Sequence, residues 1–278
     1  MVEVVRPKRS LSQNFLADHN IRRKLIETLE AEPGDTVLEV GPGHGELSEL
    51  LVGKVRRLIL VEKDDRLAPQ LAERWAGRDD VTTVHGDVLE IDLSALVSEA
   101  APGCLRVISN LPYAITSPLL FVLLDIEPRP ERIVVLVQEE VARRITADPG
   151  GKEYGALSVG VRTRARAEFA FRVSRNVFRP VPGVDSAALV LEPTGGSGTV
   201  APAALRRLVR AAFSRRRKQI RTILRSSPAY GLSTDQAEAV LGGIGIDPTA
   251  RPETLAPEQF ETLAACLEDL AGREETGC

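Results

Sequence analysis

Asn110-Leu111-Pro112-Tyr113 follows directly on an apolar run, Leu105–Asn110, that reads as a β-strand. In isolation such a tetrapeptide is a proline turn closing a strand. At the end of a strand in an α/β sheet it also has a chemical use. The exocyclic amine of adenine is a poor nucleophile because its lone pair is delocalised into the ring. The Asn110 side-chain oxygen and the Leu111 carbonyl suit its two N–H groups as acceptors. Accepting both draws the nitrogen toward tetrahedral geometry and aims its lone pair. Pro112 makes the turn, and Tyr113 offers a ring for a base to stack on. Chemistry of this kind is orientation and electrostatics and needs no strong base.

A second constellation runs from Val37 to Leu47: a strand, the turn Gly41-Pro42-Gly43-His44-Gly45, and a helix start. Glycine lets a ligand approach the backbone closely, and a helix N-terminus offers free amides. The dinucleotide fingerprint requires glycine where Glu46 stands, so Gly41 and Gly43 suit a cofactor without a pyrophosphate. Alone, the segment is equally well explained as a structural turn or another nucleotide site. Glu62 ends the next strand, 21 residues after Gly41, where a carboxylate can accept both ribose hydroxyls of an adenosine. Asp87 follows the third strand and is an acceptor for an adenine amine. Each acid alone reads as a surface or capping residue. Three such features after three consecutive strands resemble the class I S-adenosylmethionine methyltransferases.

Phe178-Arg179-Pro180-Val181-Pro182-Gly183-Val184-Asp185-Ser186 precedes the last strand. Taken alone, its aromatic is a buried loop residue. Paired with Tyr113, Phe178 is expected to cover the other face of a flipped-out base.

These residues need a scaffold. Apolar runs at Thr36–Val40, Arg57–Glu62, Val81–His85, Leu105–Asn110, Arg132–Gln138, Glu168–Val173 and Ser186–Glu192 read as strands. Helix-compatible stretches separate the first five, which predicts a doubly wound, Rossmann-like α/β sheet with a hairpin-like edge from the last two. The pattern assigns 1–192 to this domain, 193–202 to a Gly/Ser/Pro-rich linker, and 203–278 to a smaller all-helical domain.

The net charge is −3 and the pI about 5.8, which by themselves speak against nucleic acid. The distribution says otherwise. Arg206 to Arg225 holds nine basic residues and no acid, followed by ten acids and two arginines from Gly231 on. As one helix, this segment would gather Arg217, Lys218 and Arg221 with four further arginines on about a third of the circumference. A break near Ser214 would spoil that stripe. A solvated charged face is the usual explanation of such a run, but the missing acids favour contact with RNA phosphates. Arginine outnumbers lysine 30 to 6, which suits phosphate and also follows from a GC-rich genome. No run of 18 apolar residues spans a membrane, and Met1–Ser10 has no apolar signal-peptide core, so the cytoplasm is expected. Three cysteines and three histidines are too scattered for a disulfide framework or a metal site.

Gln-Asn-Phe-Leu, Glu-Val-Gly-Pro-Gly, Asn-Leu-Pro-Tyr and Phe-x-Pro-x-Pro-x-Val-Asp-Ser occur here in the order found in the small-subunit rRNA adenine N6,N6-dimethyltransferases, the kasugamycin-sensitivity family. The resemblance continues through Phe213–Lys218 and Arg251–Leu255, covering about Pro7 to Leu267. It implies S-adenosylmethionine as methyl donor, with Asn14 and Leu16 of a folded N-terminal arm beside Gly41, Gly43, Glu62, Asp87 and Asn110. It implies dimethylation of two adjacent adenosines in the 3′-terminal hairpin loop of 16S rRNA, on an assembling 30S particle, and a late role in assembly. Arg215, Arg216, Arg217, Lys218 and Arg221 are the expected RNA contacts. A monomer is expected, since nothing calls for a dimer, and no metal.

Leu11-Ser12 departs from the family, which often has a glycine at the second position. Pro182–Asp185 also has counterparts in the erythromycin-resistance enzymes, which dimethylate one adenosine of 23S rRNA. Tyr113, the Arg-Arg-Arg-Lys segment and the helical domain favour the small subunit. A non-catalytic assembly factor and a small-molecule methyltransferase are the alternatives of other classes. The intact Asn-Leu-Pro-Tyr opposes the first, and the basic segment opposes the second.

Overall fold

The computed structural model describes residues 13–111, 113–195 and 200–276. The chain forms two compact units. The first takes the chain up to Ala142 together with Arg166–Pro193, and the second takes Arg143–Ala165 and the chain from Thr194 on.

In the first unit β2 (Thr36–Val40), β3 (Arg57–Glu62), β4 (Val81–His85), β5 (Leu105–Asn110), β6 (Arg132–Gln138), β7 (Ala165–Val173) and β9 (Ser186–Pro193) form one sheet, ordered β4-β3-β2-β5-β6-β9-β7. The strands from β4 to β6 pair in parallel, and β9 runs antiparallel to β6. A short second sheet pairs β1 (Phe15–Leu16) with β8 (Phe178–Arg179). Helices α1 (His19–Leu29), α2 (Ser48–Leu51), α3 (Leu67–Arg74), α4 (Leu93–Val97) and α5 (Thr116–Leu124) connect the parallel strands or precede them. β2 is buried along its whole length, as expected of a central strand covered on both faces. The strand order reverses between β2 and β5, so the carboxyl ends of β2, β3, β4 and β5 open onto one crevice, the usual ligand position in such sheets. The doubly wound sheet is as expected from sequence.

The second unit contains α7 (Ala156–Arg162), α8 (Pro202–Ser214), α9 (Ile220–Ser226), α10 (Thr234–Gly243) and α11 (Pro257–Thr276), while α6 (Glu139–Thr146) runs across the division of the chain. Its core gathers Tyr154 and Val159 with Leu208, Ala212, Phe260 and Leu263. The segment 143–165, placed with 1–192 on pattern alone, packs here instead. The Tyr154 hydroxyl donates to the Leu255 carbonyl at 2.7 Å, and Gly150 N–H to the Glu253 carbonyl at 2.6 Å.

The basic segment is not one helix. α8 stops at Ser214 and α9 starts at Ile220. The break has a tertiary cause: the N–H groups of Ile220 and Arg221 donate to the Ala250 and Pro248 carbonyls at 2.8 and 3.3 Å. Donors committed there are lost to a continuous helix.

Candidate active site

The crevice holds an open cavity of about 1000 Å³, a figure that includes solvent space at its mouth. Its walls include Asn14, Gly41, Gly43, Glu62, Asp87, Asn110, Leu111 and Tyr113. Residues chosen from sequence at four separate strand ends therefore meet in one place.

Gly41 takes φ +68°, and a Cβ built on it would have nothing within 4 Å. The backbone is left bare toward the cavity, as a closely approaching ligand requires. At Gly43, φ +62°, a Cβ would come within 2.9 Å of the Phe15 ring. That glycine lets Phe15 close down on the turn.

Glu62 is 5 % exposed. One carboxylate oxygen accepts Gly43 N–H at 3.0 Å and the other Asp64 N–H at 2.8 Å. Burial raises its pKa, and those two amides oppose the rise. Glu62 lines the cavity, so its carboxylate fits hydroxyl donors there while it ties the turn to β3. Asp87 accepts the Leu89 N–H at 3.1 Å and pairs with Lys63. Lys63 holds the Asp87 carboxyl below its ordinary value. Bare backbone at Gly41, the buried Glu62 acceptor and the ionised Asp87 fit an adenosine-bearing cofactor.

Asn110 donates through Nδ2 to the Asn14 carbonyl at 2.8 Å, which leaves Oδ1 as its acceptor. The same bond fastens the Gln13–Phe15 segment to the site. The Leu111 N–H is taken by the Leu136 carbonyl at 3.1 Å, fixing the peptide after β5. Tyr113 opens a one-turn 3₁₀ helix, Tyr113–Ile115, and its hydroxyl shares a 2.7 Å hydrogen bond with Ser186 Oγ at the start of β9. Pro112 lies outside the described residues.

Two expected site residues stand elsewhere. Phe178 is 0 % exposed and belongs to the core with Leu16, Val173 and Ala188. The β1–β8 pairing, Leu16 opposite Phe178, turns the ring inward. A ring with no accessible surface cannot stack on a base in this arrangement. Leu16 is likewise core, 3 % exposed, and is not among the cavity walls. Its neighbours Gln13 and Phe15 line the cavity instead. Alternation along β1 sends residues 15 and 16 to opposite sides. Lys63 was also missed, although its position one residue after Glu62 was a signal.

A buried acid lies beneath the site. Glu39, in β2, is 1 % exposed and accepts the Ser48 hydroxyl at 2.6 Å. Burial pushes its carboxyl up to about 8, the Ser48 hydrogen bond opposing and the charges of Glu46 and Glu62 adding to the rise.

In the helical unit the five expected RNA contacts divide. Arg216 is bound internally, to Glu253 at 2.5 Å and to the Lys152 and Gly151 carbonyls at 3.0 and 3.2 Å. Arg215 donates to Ser226 Oγ at 2.5 Å, and Arg221 to Glu238 at 3.1 Å. Arg217 and Lys218 are exposed. Among the described residues no group of three His, Cys, Asp or Glu is placed to hold a metal ion, and no helix is long and apolar enough to cross a membrane.

Seven strands in this order, a glycine turn after β2, an acid at the end of β3 and another after β4 define a class I methyltransferase fold. The sequence matches the family model "Ribosomal RNA adenine dimethylase" over residues 4–269, and the chain belongs to that family. It is 42% identical to "Ribosomal RNA small subunit methyltransferase A" of Moorella thermoacetica over 94% of this chain and 93% of the relative. The crystal structure of a dimethyladenosine transferase from Plasmodium falciparum superposes with a TM-score of 0.78, at 24% identity, covering 95% of this chain and 98% of that one. The crystal structure of the 23S rRNA methyltransferase ErmE gives a TM-score of 0.67 at 30% identity, covering 92% of this chain and 100% of that one.

Proposed function

We propose that this protein dimethylates N6 of two adjacent adenosines in the 3′-terminal hairpin loop of 16S rRNA, on an assembling 30S particle, and works there as a cytoplasmic monomer. The observation that carries the chemistry is Asn110 at the cavity wall, its amide nitrogen engaged by Asn14 and its oxygen left as acceptor. S-adenosylmethionine supplies the methyl group on a sulfonium. Gly41, Glu62 and Asp87 hold that donor's adenosine part.

Asn110 Oδ1 and the Leu111 carbonyl accept the two N–H groups of the target amine. Tyr113 stacks on the base, its ring steadied through the hydroxyl on Ser186. The nitrogen lone pair bonds to the methyl carbon as the carbon–sulfur bond of the sulfonium breaks and a neutral thioether leaves. The resulting acidic cation gives its proton to water, so no basic side chain is needed. The step repeats with a second donor for the second methyl. Positioning supplies the rate. For the choice of subunit, support comes from 42% identity to the small-subunit relative over nearly the whole of both chains.

The test offers undermethylated small and large subunits separately with tritiated methyl donor and locates dimethyladenosine by mass spectrometry. Label in the small-subunit 3′ hairpin is expected, with most transfer lost in Asn110→Ala at saturating cofactor. Dimethylation confined to 23S rRNA assigns the protein to the erythromycin-resistance activity instead.

A further inference from the structure

Among the described residues three large hydrophobic side chains are exposed, and two of them, Val181 at 50 % and Val184 at 47 %, share one four-residue stretch. The stretch is not loose. Pro182 between them is buried. The Gly183 carbonyl accepts from Arg175 at 3.1 Å, and the Asp185 carboxylate accepts the Arg175 N–H at 2.8 Å and the Arg172 guanidinium at 2.6 Å. A loop fastened at so many points could have turned its valines inward. Exposing both forgoes burial in the core and invites association, so a ligand that covers them is the physical reason to look for.

The position of the loop names that ligand. Its first end is Arg179, paired in register with Phe15, and its second is Ser186, bonded to the Tyr113 hydroxyl. Phe15 and Tyr113 both line the cavity. The loop that carries the valines thus begins and ends beside residues that line the cavity. Arg175 and Arg179, both exposed, flank them with positive charge, and beside an RNA-methylating pocket that charge suits a phosphate backbone.

We propose that Val181 and Val184 form an apolar lip for RNA. The nucleotide beside the target adenosine rests on the lip, and the target base leaves its stack and enters the cavity. The inference rests on the adenosine-methylating reading above. Apolar side chains wedged at base steps lower the cost of unstacking in this way.

The experiment compares wild type, V181S/V184S and V181L/V184L on undermethylated small subunits. The serine pair is expected to lower kcat/KM roughly tenfold, the order set by losing about one buried methyl-sized contact at each position, and the leucine pair to keep it near wild type. Cofactor affinity and melting temperature stay at wild-type values in both. A synthetic hairpin with 2-aminopurine at the target position brightens when wild type binds and stays dim with V181S/V184S. Equal kcat/KM for wild type and the serine pair, or equal brightening, overturns the lip while leaving the methylation reading intact. A wild type that methylates no ribosomal RNA sinks both.

Discussion

The carboxylate of Glu62 accepts the N–H of Gly43 at 3.0 Å, joining the ends of two neighbouring strands under the cavity. The glycine turn and the acid read in the sequence as two separate contacts to a ligand. They are one device, because the acid also holds the turn in its left-handed path. Glu62→Ala therefore removes a ligand acceptor and orphans two amides, Gly43 and Asp64. We expect S-adenosylmethionine binding to weaken by about 1–3 kcal/mol and stability to fall by a similar amount, the usual cost of an unsatisfied buried donor. Calorimetry and urea melts read the two losses. Full affinity in the variant removes Glu62 from the cofactor site.

Glu39 gives a pH prediction. Its folded-state pKa is about 8, against an ordinary 4.5. Between those values the folded protein holds a proton that the unfolded chain has released. Stability therefore falls as pH rises through this window, by up to about 1.4 kcal/mol per pH unit for one group. Glu39→Gln keeps an acceptor for Ser48 and cannot ionise. It should gain stability relative to wild type progressively from pH 5 to pH 8 and hold a constant advantage above. Taking the difference removes the part of the pH dependence that Glu62 contributes by itself, its raised pKa acting in the same direction, and leaves its coupling to Glu39 in the reading. A difference that does not change with pH refutes the assignment.

Much of the sheet was legible because β2 to β6 are β-branched runs bounded by turn residues, and their alternation with helical stretches dictates a parallel order. The site residues at the strand ends followed from that order. What sequence did not show depends on partners distant in the chain. β1 and β8 are two residues each, too short for any period, and only their pairing decides that Phe15 faces the cavity while Leu16 and Phe178 face the core. The break after Ser214 is made by carbonyls at Pro248 and Ala250, which no local propensity records.

Phe178 now has a sharp test. As a core ring it should cost about 3–5 kcal/mol when cut to alanine, with activity lost only as the fold is lost. Phe178→Leu keeps most of the volume and should cost under about 1.5 kcal/mol, with near-normal methyl transfer. The two variants are followed by thermal melting and by single-turnover methylation at a temperature where both are folded. A fully folded Phe178→Leu that is nearly inactive would restore the ring to a base-stacking role reached by loop movement.

The basic segment separates by the same logic into scaffold and RNA-facing residues. Arg216 is 37 % exposed and bonds Glu253 and two loop carbonyls, holding 151–152 beside the stretch that carries Glu253. Arg216→Ala should therefore destabilise the helical unit by about 1–3 kcal/mol, the range for lost charge-assisted hydrogen bonds at a partly open site. Arg217 and Lys218 are exposed at the break between α8 and α9, where a charge is available to phosphate. R217E/K218E should leave melting unchanged and weaken binding to the small subunit. Removing one phosphate-neutralising cation lowers the slope of log affinity against log salt by about 0.7–0.9, so the pair should flatten it by roughly 1.5. Titrations of undermethylated subunits at several salt concentrations give the slope. An unchanged slope for R217E/K218E, with a flattened one for a fully stable Arg216→Ala, would reverse the two assignments.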